Sequence, residues 1–111
     1  MIDWARVHEL VEEIGAEDFA EVVELFLLEV EGAISILETA DSDLVIVEEQ
    51  MHFLKGAALN LGFEMLAQLC LKGEKAANAG RPNVVTVEQI RQIYQTSRAQ
   101  FEQDLPKRIA A

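Results

Sequence analysis

The stretch that decides the fold is Leu44 to Gly62, which reads LVIVEEQMHFLKGAALNLG. Its apolar residues recur at alternating spacings of four and three, and on a helix of 3.6 residues per turn this alternation forms one continuous stripe. The stripe consists of Val47, Met51, Leu54, Ala58, Leu61 and, beyond the stretch, Met65. The spacing predicts an α-helix from about Leu44 to Leu61 with this stripe toward a core, ended by Gly62 in the left-handed conformation.

The sequence before this helix has the same periodicity of three and four. We expect a short first helix over residues 3–14, capped by Asp3 and ended by Gly15, and a long second helix over residues 16–39. The segment 41–43, which reads DSD, supplies a turn and a cap before the third helix. Helical periodicity without alternation of period two excludes a sheet of any size.

The sequence after the third helix contains two further helical segments. A fourth helix is predicted over residues 64–79 and is broken by the run at 80–83. A last helix begins near Thr86, which has the capping-box spacing with Gln89, and ends before Pro106. Four helices of similar length with short connections predict an all-α, antiparallel up-down four-helix bundle over residues 16–105, with the first helix across one end, in a single domain of 1–111.

Composition narrows the possible functions. The 111 residues carry a net charge of −11, which disfavours nucleic-acid binding because that affinity comes largely from Lys and Arg. No apolar run reaches the ~20 residues of a membrane span, and the acidic N-terminus lacks the pattern of an export signal. The single cysteine, Cys70, lies in an apolar stretch and is interpreted as a buried hydrophobic residue of a protein in a reducing compartment. We therefore expect a free-standing cytoplasmic protein without membrane insertion.

The charge is unevenly distributed along the chain. Residues 1–50 hold 15 acidic side chains and one basic one, whereas residues 51–111 hold 5 acidic and 8 basic ones. Either the early helices have a solvated acidic face, or this surface sorts partners by charge.

His52 is the residue around which a function can be built. On the predicted helix it lies opposite the apolar stripe, so its imidazole is expected to face solvent. Gly56 follows one turn later on the same face, although glycine inside a helix costs about 1 kcal/mol relative to alanine. A missing β-carbon beside an exposed imidazole indicates close approach by another molecule, and Lys55 places an ammonium nearby. An alternative is that all three are ordinary surface residues.

The string HFLKGAALNLG at 52–62 resembles the signature of histidine-containing phosphotransfer domains, in which His-x-Leu-Lys-Gly, a small residue and Leu-Gly recur on one helix. The resemblance extends over about residues 15–80, including Glu74 in the following helix. It implies a four-helix bundle that relays a phosphoryl group between aspartates of receiver domains in a two-component phosphorelay. His52 is then the phosphorylated residue, Lys55 the cation that stabilises the phosphoryl group, and Gly56 the residue that permits docking.

The implied partners are response-regulator receiver domains and a hybrid sensor histidine kinase. We expect no cofactor on this chain, with Mg²⁺ belonging to the receiver, and no ATP-dependent kinase activity, because a phosphate-binding loop and a kinase signature are absent from the sequence. We expect Nε2 of His52 to attack the phosphorus atom in line with the leaving oxygen. This reaction depends mainly on how the reacting groups are positioned. Glu48 and Glu49 are the only carboxylates expected near His52.

Docking is predicted on the face shared by the third and fourth helices, where the candidate contacts are Gly56, Leu59, Phe63, Glu48, Lys72 and Lys75. At the position of Leu59 the family usually has a small residue, so we expect this leucine to affect which partners bind. Gly73, where the family has an apolar residue, is interpreted as a packing contact or a local bend. The alternative function is a non-catalytic helical adaptor using the same face. A metal site is disfavoured because the two histidines are 44 positions apart.

Overall fold

The computed structural model describes residues 1–40 and 43–109. Within these residues the regular structure is entirely helical, with α1 at Trp4–Ile14, α2 at Ala16–Ala40, α3 at Leu44–Leu61, α4 at Glu64–Asn78 and α5 at Val87–Ile109. The predicted boundaries of the first four helices agree with these within a residue or so. The predicted turn at residues 41 and 42 lies outside the described part of the chain.

The helices enclose one apolar core. Helix α3 packs against α2 on one side and α4 on the other, α5 packs against α4 and α2, and α1 lies against α2 and α3. Burial of apolar surface stabilises this arrangement by roughly 25 cal/mol per Å² removed from water. The largest side chains that are fully buried come from all five helices and the α3–α4 turn, and include Phe63, Phe101, Met51, Leu54, Leu61 and Leu66.

The predicted helix caps are present. Asp3 accepts a hydrogen bond from the Arg6 amide at 3.2 Å, and Asp43 accepts from the amides that open α3. At the start of α5, Thr86 and Gln89 exchange side-chain to backbone hydrogen bonds of 2.9 and 3.1 Å, which is the predicted capping box. These contacts satisfy amides that have no partner inside the helix.

The turn after α3 changes the direction of the chain and corrects two predictions. Gly62 has φ 77° and ψ 20°, and a β-carbon there would lie 2.7 Å from the carbonyl oxygen of Asp3. Because the helix ends at Leu61, the residues that follow do not continue its faces. Phe63, predicted to be exposed beside His52, is fully buried against Phe101, whereas Met65, predicted to be core, is 43 % exposed.

Helix α5 also differs from its prediction, because it passes through Pro106 and ends at Ile109. Proline inside a helix removes one hydrogen bond and costs about 3 kcal/mol. Tertiary contacts hold the last turn in place: Leu105 and Ile109 pack against the core, and the Arg108 guanidinium lies 5.3 Å from the ring centre of Trp4.

A close approach of α3 and α4 depends on Gly73. A β-carbon at this position would lie 2.9 Å from the sulfur of Met51, which is itself buried. The packing contact predicted for Gly73 is therefore confirmed. The residues that follow these two in sequence are His52 and Glu74, so the contact fixes how far apart their backbones lie.

Candidate functional site

His52 occupies the solvent face of α3, as predicted. Its side chain is 70 % exposed, whereas Leu54, on the opposite face of the same turn, is fully buried. The packing of Met51 and Leu54 fixes the rotation of the helix and thereby the direction in which His52 points. The imidazole is accessible to a second protein.

One carboxylate joins the two residues of the predicted site. Glu74 of α4 has one oxygen 2.6 Å from Nδ1 of His52, and its other oxygen accepts a hydrogen bond from Nζ of Lys55 at 2.7 Å. The hydrogen bond from Lys55 is the main cause that lowers the pKa of Glu74 below its ordinary value of 4.5, and the contact with His52 lowers it further. The carboxylate is therefore ionised at neutral pH.

This contact determines the tautomer of His52. An ionised carboxylate can only accept hydrogen bonds, so the ring nitrogen that faces Glu74 must carry a proton. In the neutral ring the proton then resides on Nδ1, and the lone pair resides on Nε2. The nitrogen available to an incoming electrophile is the one remote from the chain's own carboxylate.

Glu74 was missed by sequence reasoning, which placed only Glu48 and Glu49 near His52. Glu48 instead accepts a hydrogen bond from Asn78 at 2.6 Å, and Glu49 is exposed. Contacts between residues on different helices cannot be derived from the periodicity of one helix. The signal available in the sequence was Gly73, because a glycine inside a predicted helix and next to a charged residue indicates where two helices approach.

Gly56 has no packing function within the free chain. It is exposed, and a β-carbon built at this position meets no atom within 4 Å. Glycine inside a helix costs about 1 kcal/mol relative to alanine, and the intramolecular contacts offer no compensation. This is the arrangement expected if the bare backbone is used by another molecule.

Shallow grooves lie on both sides of α3, and one of them is lined by His52 itself. The one toward α2 has a volume of about 310 Å³ and is lined by His52, Phe53, Gly56 and, from α2, Phe26 and Glu29. The one toward α4 has a volume of about 330 Å³, and its lining includes Lys55, Leu59, Gln68 and Leu71. Lys55 therefore lies between the imidazole and the second groove.

The predicted docking residues are only partly brought together. Leu59 and Lys75 are exposed on α3 and α4, and their role in docking stays a prediction. Lys72 lines a groove with Leu69 and Ile93, so it lies toward α5 and not on the face shared by α3 and α4. The aromatic side chain exposed beside His52 is Phe53, whose 45 % exposure contrasts with the buried Phe63.

The remaining cysteine and histidine of the chain are Cys70 and His8. Burial raises the pKa of the Cys70 thiol to about 12, which makes it an inert core residue, as predicted. His8 is exposed on α1. Across residues 1–40 and 43–109 no three His, Cys, Asp or Glu side chains form a group that could hold a metal ion. No helix in those same ranges combines the length and apolarity needed to cross a membrane.

Comparisons with known proteins agree with this geometry. Residues 16–100 match the Hpt domain family. The chain is 28% identical over 82 residues to the phosphorelay protein LuxU of Vibrio vulnificus, in strains YJ016 and CMCP6, covering 72% of this chain and 71% of that protein.

The fold is also similar to a solved structure. Histidine-containing phosphotransfer protein B (HptB) of Pseudomonas aeruginosa PAO1 superposes with a TM-score of 0.84 at 23% identity, covering 93% of this chain and 92% of the other. The match over residues 16–100 includes α2, α3 and α4 in full. With an exposed histidine on α3 oriented by a carboxylate from α4, this chain belongs to the Hpt domain family.

Proposed function

We propose that this chain is a phosphorelay intermediate that carries a phosphoryl group on Nε2 of His52 between aspartates of receiver domains. The observation that carries the proposal is the contact between Glu74 and Nδ1, which places the proton on Nδ1 and leaves the lone pair on Nε2 of an exposed ring. A nitrogen lone pair on an exposed ring is the nucleophile that phosphoryl transfer requires.

The transfer step follows from these positions. Nε2 forms a bond to phosphorus as the bond between phosphorus and the aspartyl oxygen breaks, and the aspartate leaves as a carboxylate. The Nδ1 proton stays on the ring, where the Glu74 carboxylate stabilises the positive charge that develops. In the second transfer a carboxylate oxygen of the next receiver's aspartate bonds to phosphorus as the bond between Nε2 and phosphorus breaks, and the ring returns to its neutral form.

Lys55 is proposed to stabilise the phosphoryl group. Its side chain is 24 % exposed, and its ammonium is held by the same Glu74 carboxylate that contacts His52. A phosphoryl group on Nε2 brings negatively charged oxygens near the Lys55 ammonium. Lys55 can then bind both the phosphoryl group and the Glu74 carboxylate. Positioning and charge neutralisation are the main contributions that a protein makes to phosphoryl transfer.

The proposed partners are receiver domains of response regulators and a hybrid sensor histidine kinase. Mg²⁺ is expected on the receiver, and ATP chemistry is expected from the kinase. Two basic residues near the site, the partly buried Lys55 and the exposed Lys75, suit a partner whose phosphorylated aspartate lies among acidic groups, whereas the acidic α1 and α2 do not. Phe53 and Leu59 provide apolar area on the two sides of His52.

The finer architecture and location are part of the same proposal. Each of the four long helices contacts the next one along the chain, and α5 also contacts α2. Together with the short connections, these contacts support an antiparallel up-down four-helix bundle crossed by α1. We propose that residues 1–111 form one domain and that the protein acts in the cytoplasm.

Incubation with a panel of phosphorylated receiver domains tests the function. We expect acid-labile phosphate on the wild-type chain and none on the His52→Gln variant. The His8→Gln variant is the matched control, because it removes the other exposed histidine and should accept phosphate normally. If receivers bind the chain but transfer no phosphate to it, the protein is the non-catalytic adaptor.

A further inference from the structure

The groove between α2 and α3 combines two aromatic side chains with one carboxylate. Besides His52, its lining consists of Phe26, Glu29, Phe53, Gly56, Ala57 and Asn60. Among residues 1–40 and 43–109, Glu29 is the one carboxylate that lines this groove, and no lysine or arginine lines it. An aromatic ring attracts a cation through its face, and a carboxylate binds one directly. The two phenylalanines and Glu29 therefore favour the same kind of ligand group.

Glu29 has no ion-pair partner of its own, unlike the acidic residues of α2 that face α5. Glu31 is bound to Arg98 and Glu38 to Arg91, so these two carboxylates connect α2 with α5. Glu29 is exposed, and no basic side chain in the described part of the chain pairs with it. Its charge is therefore available to a second protein.

The basic side chain that touches the lining of this groove is Arg6, and its charge is already balanced. The Arg6 guanidinium donates a hydrogen bond of 3.4 Å to the side chain of Asn60. The same guanidinium lies 3.1 Å from a carboxylate oxygen of Glu13 and 3.6 Å from one of Glu9. Arg6 thus supports Asn60 and does not neutralise Glu29.

The two helices on either side of α3 differ in charge. Helix α2 holds seven acidic side chains and no basic one, whereas α4 holds two acidic and two basic ones. The phosphorylated aspartate of a receiver lies among acidic groups, so electrostatic repulsion disfavours placing that site over α2. A receiver turned with its acidic site toward α4 covers the groove beside α2 with another part of its surface.

We propose that the groove between α2 and α3 binds a lysine or arginine side chain of the receiver, with Glu29 as its ion-pair partner. This inference rests on the proposed phosphotransfer function and specifies the receivers that the site accepts. The apolar stem of such a side chain can pack against Phe26 and Phe53 while its charged end meets the carboxylate. Gly56 has no β-carbon to obstruct the approach.

Other receiver side chains fit this groove less well. An acidic side chain is repelled by Glu29, and an apolar one removes water from the carboxylate without replacing the lost hydrogen bonds. A pair between Glu29 and a basic side chain is also screened less than an exposed pair, because the complex covers it. The contact should therefore influence both the choice of receiver and its orientation over His52.

Reversal of charge on both sides of the contact tests the inference. In a receiver that exchanges phosphate with the wild-type chain, each exposed lysine or arginine within about 16 Å of the phosphorylated aspartate, the radius of a typical interface, is replaced in turn by glutamate. We expect Glu29→Lys to lower kcat/KM for the unmodified receiver by about 10- to 100-fold. One receiver variant should regain most of this loss when it is combined with Glu29→Lys.

The matched control is Glu24→Lys, which makes the same charge reversal at an exposed position of α2 outside the groove. We expect it to lower kcat/KM much less than Glu29→Lys and to restore transfer with none of the receiver variants. Recovery that is confined to Glu29→Lys and one reversed receiver position supports the assigned ion pair.

The remaining outcomes separate this inference from the function on which it rests. Equal losses for Glu29→Lys and Glu24→Lys, a loss that no receiver variant restores, or an unchanged rate for Glu29→Lys each overturn the assigned ion pair while leaving the relay intact. Failure of the wild-type chain to exchange phosphate with any receiver contradicts the relay, and with it this inference.

Discussion

The Glu74 carboxylate lies 2.6 Å from Nδ1 of His52, although the two residues are 22 positions apart in sequence. The contact is set by the residues that precede them, because Met51 and Gly73 meet in the core and bring the two helices together. A core contact thus determines the chemistry of a surface histidine. The second oxygen of the same carboxylate is bound to Lys55. A change in any one of these three side chains therefore affects the hydrogen bonds of the other two.

Replacement of Glu74 by glutamine should reverse the tautomer of His52. Lys55 can only donate, so it should attract the amide oxygen and turn the amide NH₂ group toward His52. Nδ1 must then accept a hydrogen bond, and the ring proton moves to Nε2, where it blocks the nucleophile. We expect Glu74→Gln to slow phosphotransfer by about 10- to 100-fold, and ¹⁵N NMR of the imidazole to show the exchange of the two nitrogen types.

Lys55 provides the internal control for this change. In a Glu74→Gln, Lys55→Met double variant the amide is free to turn its oxygen to His52, so the Nδ1-protonated tautomer should return in the NMR spectrum. Glu12→Gln removes an equal charge from the exposed face of α1 and should affect neither tautomer nor rate. An unchanged ¹⁵N spectrum in the Glu74→Gln variant contradicts the proposed role of the carboxylate.

The same carboxylate should contribute to stability in a defined pH range. Because the folded state lowers the pKa of Glu74 below 4.5, the ionised group stabilises the fold at pH values above 4.5. This contribution is lost as the pH falls through the lowered value. The difference in unfolding free energy between wild type and Glu74→Gln, measured by urea titration, should therefore shrink below pH 4.5. A difference that grows on acidification would show that the pKa is raised.

The periodicity of the sequence was sufficient to predict the helices and the exposure of His52. Both depend on the spacing of apolar residues within one helix, such as Met51, Leu54 and Leu61 in α3. It failed where the chain leaves a helix. Gly62 takes a left-handed conformation that redirects the backbone, so Phe63 enters the core and Met65 faces solvent. The periodicity also failed to predict the contact between Glu74 and His52 and the position at which α5 ends, because contacts between helices determine both.

Enlarging Gly73 should separate α3 from α4. Gly73→Leu inserts a side chain where Met51 already lies within 3 Å of the missing β-carbon, and such overpacking typically costs about 1–3 kcal/mol. We expect destabilisation of about 2–3 kcal/mol in urea titrations, together with loss of the Nδ1-protonated tautomer in the folded protein. Gly32→Leu in α2, where a β-carbon meets no atom within 4 Å, should not destabilise the fold and should keep the Nδ1-protonated tautomer.

Gly56 should show opposite effects on stability and on function. A β-carbon at this position meets no atom within 4 Å, so Gly56→Ala should stabilise the helix by about 1 kcal/mol. In a complex the added methyl group occupies space that a receiver needs, and an overpacking cost of about 1–3 kcal/mol corresponds to phosphotransfer about 5- to 150-fold slower. Gly32→Ala is the matched control, since it should give the same gain in urea resistance with no change in transfer rate. If Gly56→Ala relays phosphate as fast as the wild type, receivers do not approach His52 across this turn of α3, and the docking surface must lie wholly on the α4 side.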